Sequence, residues 1–193
     1  MNAEPRADLL PDGMRMLVVR QPWALMIALG FKTTENRSWT TRHRGPLAIA
    51  AGLAWDTAGE HDPRVRAAWR RFAADLARKQ QGNADPGPYG VAGQLTQSNL
   101  WFDRGAIVSV VDLDDCHRWD CTDHGQGCGD GVACCSPWGD AHANHWTVSN
   151  ARRLPEPVPV TGRQGLTLLT PTARAQVDEQ LARTAEALPA GGK

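Results

Sequence analysis

No stretch of this sequence is apolar and long enough to cross a bilayer as a helix. The N-terminus, MNAEPRADLLPDGMR, has acids and prolines where a signal peptide would have a basic start and an apolar run. Both absences exclude a helical membrane protein and predict a soluble, cytoplasmic one. Net charge is missing as well, because 21 basic and 21 acidic residues cancel. A strongly basic nucleic-acid binder is therefore not announced, and any such surface must be local. Lysine is scarce, contributing three of those 21 basic residues, and there is no internal repeat. A disulfide framework is absent too. All five cysteines fall between Cys116 and Cys135, and an odd, clustered set in a cytoplasmic protein points to free thiols or metal ligands.

What is present is enough for a core: 41% of the residues are hydrophobic and 22% charged. Residues 1–13 are expected to form a loose leader. Met14–Arg20, MRMLVVR, is β-branched enough for a first strand. Pro22 suits the first turn of a helix over WALMIAL, and Gly30 can close it in the left-handed conformation. Gly45–Ala51 predicts a second, buried strand. Asp62 and Pro63 cap and open a helix whose Val65, Trp69, Phe72 and Leu76 share one face, with arginines on the others. Gly105–Asp115, GAIVSVVDLDD, is the clearest strand, followed by an irregular excursion to about Ala143. HWTVSNARRL predicts a strand, PEPVPVTG a turn and RQGLTLL the last strand. Thr170 and Pro171 start a helix that presents Val177, Leu181 and Leu188, within a C-terminal helix and tail over 171–193. Short strands with two or three helices between them predict an α+β fold built on a small, partly open barrel.

The charge is polarised along the chain. Between Arg15 and Arg44 stand Arg15, Arg20, Lys32, Arg37, Arg42 and Arg44 against the single acid Glu35. Asp112, Asp114, Asp115, Asp120 and Asp123 make a later segment acidic. Arginines beside Trp23 and Trp39 can hold phosphate and stack a base, a combination that suits single strands or splayed nucleotides better than a duplex groove. The plainer alternative is that the arginines are solvated and the tryptophans belong to the core.

RQPWALMIALGFKTTENRSW followed by RGPLAIAAG resembles the ASCH domain family. The pattern G-x-K-x-x-E-x-R is met by Gly30, Lys32, Glu35 and Arg37. RQPWA, RGPLAI, GAIVSVVDL and HWTVSNARRLPEPVPVTGRQGL resemble family segments in the same order, so the likeness covers most of Met14–Leu169. The resemblance implies a PUA-like small β-barrel with peripheral helices over 14–170, and a Cys/His-rich insertion at about 116–143 lies outside the likeness, as do the leader and the terminal helix. It also implies a cleft under the barrel and an RNA or nucleotide-like ligand. Arg20, Gln21, Trp23, Lys32, Glu35, Arg37, Arg44 and Trp146 are the expected contacts, with Trp146 as a floor and Arg37 as a planar fork for phosphate or base edges. Alternatively Glu35 and Arg37 form an ion pair that closes the barrel.

Some small ASCH proteins are amidohydrolases acting on N4-acetylcytidine, with the motif lysine, a threonine three residues later and a glutamate on the central strand. Lys32 matches, but Glu35 stands at the threonine position, and the central strand offers Ser109 and Asp112. That activity does not carry over. A hydrolase acting on RNA or another modified nucleoside, with Lys32 as base and Glu35 as its proton partner, is the alternative to a binding module. His43, the histidine nearest the motif, is expected on a surface loop. The helix from Pro63 to Lys79 gives a protein-interaction module little specific support.

In DCHRWDCTDHGQGCGDGVACCSPWGDAHANHW, the residues Cys121, His124, Cys128 and Cys134 (or Cys135) are spaced so that a glycine-rich loop can fold around structural zinc. Free thiols in an insertion are the alternative, as are harder cations at Asp123, Asp130 and Asp140. Cys116 is expected to pack as a small hydrophobe.

Overall fold

The computed structural model describes residues 13–80, 103–118 and 136–186. It begins with the strand, helix and glycine turn expected from the sequence. Strand β1 (Arg15–Gln21) leads into helix α1 (Trp23–Ala28), with Pro22 at its N-cap position. Pro22 has no capping side chain, so the Gln21 amide oxygen accepts the Leu25 N–H at 3.0 Å in its place. Gly30, at φ +74°, takes the left-handed turn that ends the helix.

The next element was not legible as a strand. Thr34–Arg37, TENR, forms β2 by pairing antiparallel with the late strand β5 (Asn144–Pro159), placing Glu35 opposite Trp146. The chain then enters β3 (Gly45–Trp55), which runs parallel to β1 with Leu17 opposite Ile49. α1 and β2 are thus the crossover that a parallel pair requires. A short helix α2 (Thr57–His61) and a long one, α3 (Pro63–Gln80), follow. β4 (Ala106–Arg118) is antiparallel to β3, and β5 is antiparallel to β4. β4 runs past the expected end at Asp115, so Cys116 lies within it, half-buried against the core.

PEPVP proves to be strand rather than turn. The register jumps from Ser109 opposite Arg153 to Ile107 opposite Val158, so residues 154–157 bulge out of the ladder. A bulge is where a strand tolerates proline without losing a ladder bond, and Pro155 and Pro157 fall in this one. Strand β6 (Leu166–Leu168) pairs with Arg15–Leu17 of β1, and α4 (Pro171–Glu186) closes the described chain. The Thr170 hydroxyl caps α4 by accepting the Ala173 N–H at 3.2 Å.

The result is a mixed six-stranded sheet in the order β2-β5-β4-β3-β1-β6 with four helices among the described residues, an α+β fold. Alternation along the strands divides the core between two faces. Leu17, Val19, Leu47, Ile49, Val111 and Trp146 pack with Ala24 and Ile27 of α1. Met16, Ala48, Ala50, Val110 and Leu154 pack with Ala173 and Val177 of α4. α3 lies outside α1, where Val65 and Ala68 are buried against Leu25, Met26 and Trp138. Among the described residues β2 and β6 are the sheet's edges, and no backbone ladder joins β2 to β1. No helix among them is long and apolar enough to cross a membrane.

Candidate functional site

The G-x-K-x-x-E-x-R residues form one chain of ionic contacts. Lys32 follows the glycine turn and is only 4% exposed. Its Nζ donates to the Thr34 carbonyl and to Glu35 Oε2, the latter at 2.8 Å. It also lies 5.9 Å from the centre of the Trp23 ring. Glu35 Oε1 meets Arg37 Nη2 at 3.1 Å, and the same Nη2 donates to the Val18 carbonyl at 2.7 Å. Val18 belongs to β1. One guanidinium therefore spans the gap between edge strand β2 and β1 that no backbone pairing closes. Arg37 Nε is buried without a hydrogen-bond partner among the described residues.

Beside this bridge opens a cleft of about 1050 Å³. One wall is β1 from Leu17 to Arg20 with Trp23; another is β2 and its exit, from Glu35 to Trp39; a third is the loop 160–165. Glycines allow the close approach of loop and strand. A Cβ on Gly52 would come within 3.1 Å of Val18 Cγ1, and one on Gly162 within 3.2 Å of Val18 Cγ2. Both glycines therefore leave room for that side chain. Trp39 lines the cleft and stands edge-on to Trp146, their rings 4.6 Å apart at 83°.

The expected contacts separate into two groups. Arg20, Trp23, Glu35 and Arg37 line the cleft. Lys32, Gln21, Trp146 and Arg44 do not. Lys32 lies behind Glu35. Gln21 is buried, with its side-chain amide N–H donating to the Asp103 carbonyl at 3.0 Å. Around it, burial pushes the Asp103 carboxyl up against the pull of Arg153, and burial pushes the Arg153 guanidinium down. Trp146 is fully buried under Trp39, whose carbonyl accepts its indole N–H at 3.2 Å. Arg44 is engaged at the surface by Asp115 at 2.9 Å. His117 and then the Cys116 N–H hold the Asp115 carboxyl below its ordinary range, with Arg44 adding to them. Arg152 likewise takes Asp112 at 2.6 Å, so part of the acidic segment neutralises basic residues directly. Ser109 is buried with its hydroxyl unpartnered among the described residues. His43 bonds the Pro46 carbonyl at 3.0 Å, on the loop expected for it.

Trp23 is fixed from several sides. Its indole N–H donates to Asp56 Oδ2 at 2.9 Å, and this bond is the chief reason the Asp56 carboxyl lies below its ordinary value. Trp138 packs edge-on at 6.4 Å, and a Cβ on Gly59 would come within 2.8 Å of its ring. Trp39, expected beside Trp23 as a base-stacking indole, does line the cleft, whereas the whole 160–165 wall with Arg163 was missed from the sequence. Nothing local marks that wall, since VTGRQG has the composition of any turn. Cys121, His124, Cys128, Cys134 and Cys135 lie outside the described residues. Among those described, no group of three or more His, Cys, Asp or Glu residues could hold a metal ion.

The sequence model of the ASCH domain matches residues 17–158, most of the chain and every element from β1 to β5. The chain belongs to the ASCH domain family. Two curated relatives match a shorter stretch of this chain. "Activating signal cointegrator 1" of Homo sapiens is 55% identical over 40 residues, which are 21% of this chain and 7% of that protein. Its Mus musculus counterpart is 52% identical over 40 residues with the same shares. The match thus spans a small fraction of those proteins' length.

Proposed function

We propose that this ASCH domain is an RNA- or nucleotide-binding module whose ligand occupies the cleft between β1, β2 and the 160–165 loop. The observation that carries the reading is the charge of the cleft lining. Arg20, Arg37 and Arg163 contribute to it, and its one acid among the described residues, Glu35, is already held by Lys32 and Arg37. Arginine forks can meet phosphate there while Trp39 offers an indole face to a base. Arg37, tied to Val18 and Glu35, shapes the cleft as much as it charges it. The reading treats the six-stranded sheet as a PUA-like barrel left open between β1 and β2, with the domain at 14–170 and a C-terminal helix and tail beyond. A cytoplasmic setting goes with the clustered cysteines.

Geometry favours binding over hydrolysis. The Lys32 ammonium is engaged by Glu35 and the Thr34 carbonyl instead of facing the cleft. Fluorescence anisotropy with short single-stranded RNA, repeated over a range of salt, tests the reading. Affinity should fall with salt and drop when Arg20 and Arg37 are both replaced by alanine. Absence of binding at low salt would overturn it, and release of product from acylated nucleosides or RNA would favour the hydrolase. From the spacing of Cys121, His124, Cys128 and Cys134, we also propose a structural zinc ion. Elemental analysis of protein purified without added metal should find one zinc per chain, and its absence refutes the site.

A further inference from the structure

The cleft does not end at the 160–165 loop. A second groove of about 750 Å³ runs between β6 and the start of α4. The two cavities share Val160, Thr161 and Arg163, so the loop is the saddle between them. The groove lining contains Arg15 and Arg163 and no acidic residue at all among the described residues. Threonine hydroxyls at 161, 167, 170 and 172 line it as well. The guanidiniums of Arg15, Arg20 and Arg163 make no ion pair or hydrogen bond among the described residues, unlike those of Arg37, Arg44 and Arg152, and Arg20 acts on Asp56 only through space. Guanidiniums without a direct partner among the described residues therefore mark the cleft, the saddle and the groove in turn, on a protein whose net charge is zero.

We infer that the two cavities form one track for an extended single strand, with the cleft taking one nucleotide and the β6–α4 groove taking the phosphates and sugars beside it. This rests on the binding function proposed above and adds that the ligand is a polymer. A mononucleotide would leave Arg15 and the threonine-lined groove unused. A stiff duplex does not divide itself between two cavities that meet over a single loop. A flexible polyanion can cross the saddle with a phosphate at Arg163 and the next ones toward Arg15, while ribose hydroxyls meet the threonines.

The test compares the dinucleotide UpU with a uridine oligomer of about eight nucleotides. The longer strand should bind more than tenfold tighter, with a steeper dependence on salt. Arg15→Ala should weaken the longer strand several-fold, lower its salt slope by about 0.7 for each phosphate no longer neutralised, and leave UpU unchanged. Thr172→Glu, an exposed change at the groove far from the Glu35 bridge, should do the same and serves if Arg15→Ala compromises folding. Equal affinity for both lengths, or a longer strand indifferent to both substitutions, overturns the track while leaving the cleft as a binding site. Failure of both ligands to bind at low salt removes the cleft as well.

Discussion

Replacing Glu35 by alanine tests whether the motif is held as an ion chain. The Glu35 side chain is 11% exposed, and its carboxylate stands between Lys32 Nζ at 2.8 Å and Arg37 Nη2 at 3.1 Å. Without it the Lys32 ammonium keeps, among the described residues, only the Thr34 carbonyl and the distant face of Trp23. Removing one partner of a buried pair costs about 3–5 kcal/mol, because the other charge is left uncompensated. The Arg37 side chain is 22% exposed and keeps the Val18 carbonyl, so water can re-solvate it and its share of the loss is small. The expected total is about 3–4 kcal/mol, a fall in Tm of roughly 10 °C for a chain of this size. Lys32→Met should cost less, about 1–2 kcal/mol, since Glu35 retains Arg37 and an apolar chain of similar length fills the space. Urea unfolding followed by tryptophan fluorescence measures both, with m unchanged. A Glu35→Ala loss below about 1 kcal/mol, or a larger loss for Lys32→Met, refutes the ion chain as the element that holds the motif.

Acid should release Trp23. The folded Asp56 carboxyl lies below its ordinary value of 3.8 because it accepts the indole N–H of Trp23 and the Gly59 N–H. A lowered folded-state pKa means Asp56 stabilises the fold above that ordinary value and ceases to as pH falls through the lowered one. The Trp23 indole proton resonance should therefore titrate with a midpoint under 3.8, and Asp56→Asn should abolish the transition; a higher midpoint contradicts the assignment. Gly59→Ala brings a methyl within 2.8 Å of the Trp23 ring and should destabilise by about 1–3 kcal/mol in urea, whereas a neutral result would mean that the indole shifts freely. Arg37→Lys keeps the charge but, with a shorter side chain, withdraws the single nitrogen, Nη2, that reaches both Glu35 and Val18, so about 1 kcal/mol should be lost, and equal stability would show that the bridge is not needed.

What was legible in the sequence was what local chemistry decides. Pro22, the apolar run after it and Gly30 specify α1 and its end without outside help. Asp62 and Pro63 begin α3, and Ile107, Val108, Val110 and Val111 make β4 plain. TENR was opaque because its four residues become a strand only when β5 supplies their partners. PEPVP looked like a turn because a bulge, a tertiary accommodation, is what lets prolines stay in a strand. Within the site, the motif named Lys32, Glu35 and Arg37 but not their order in depth, with the lysine behind and the arginine across the gap. Trp39 and Arg163 become cleft residues only through the meeting of β2, β1 and a loop more than a hundred residues later. Arg44, counted with the basic stretch, is claimed by Asp115 from another strand.

The pairing of β2 with β5 also sets a timetable. Glu35 finds its ladder neighbour Trp146 roughly 110 residues further along the chain. During synthesis β1, α1 and β3 can dock on one another well before that neighbour leaves the ribosome, because their contacts lie close in sequence. The motif strand must wait for that ladder, although its ion contacts all lie within residues 18–37. Pairing of β2 is thus a late step, and a Glu35 seated opposite Trp146 reports that β5 has joined the sheet.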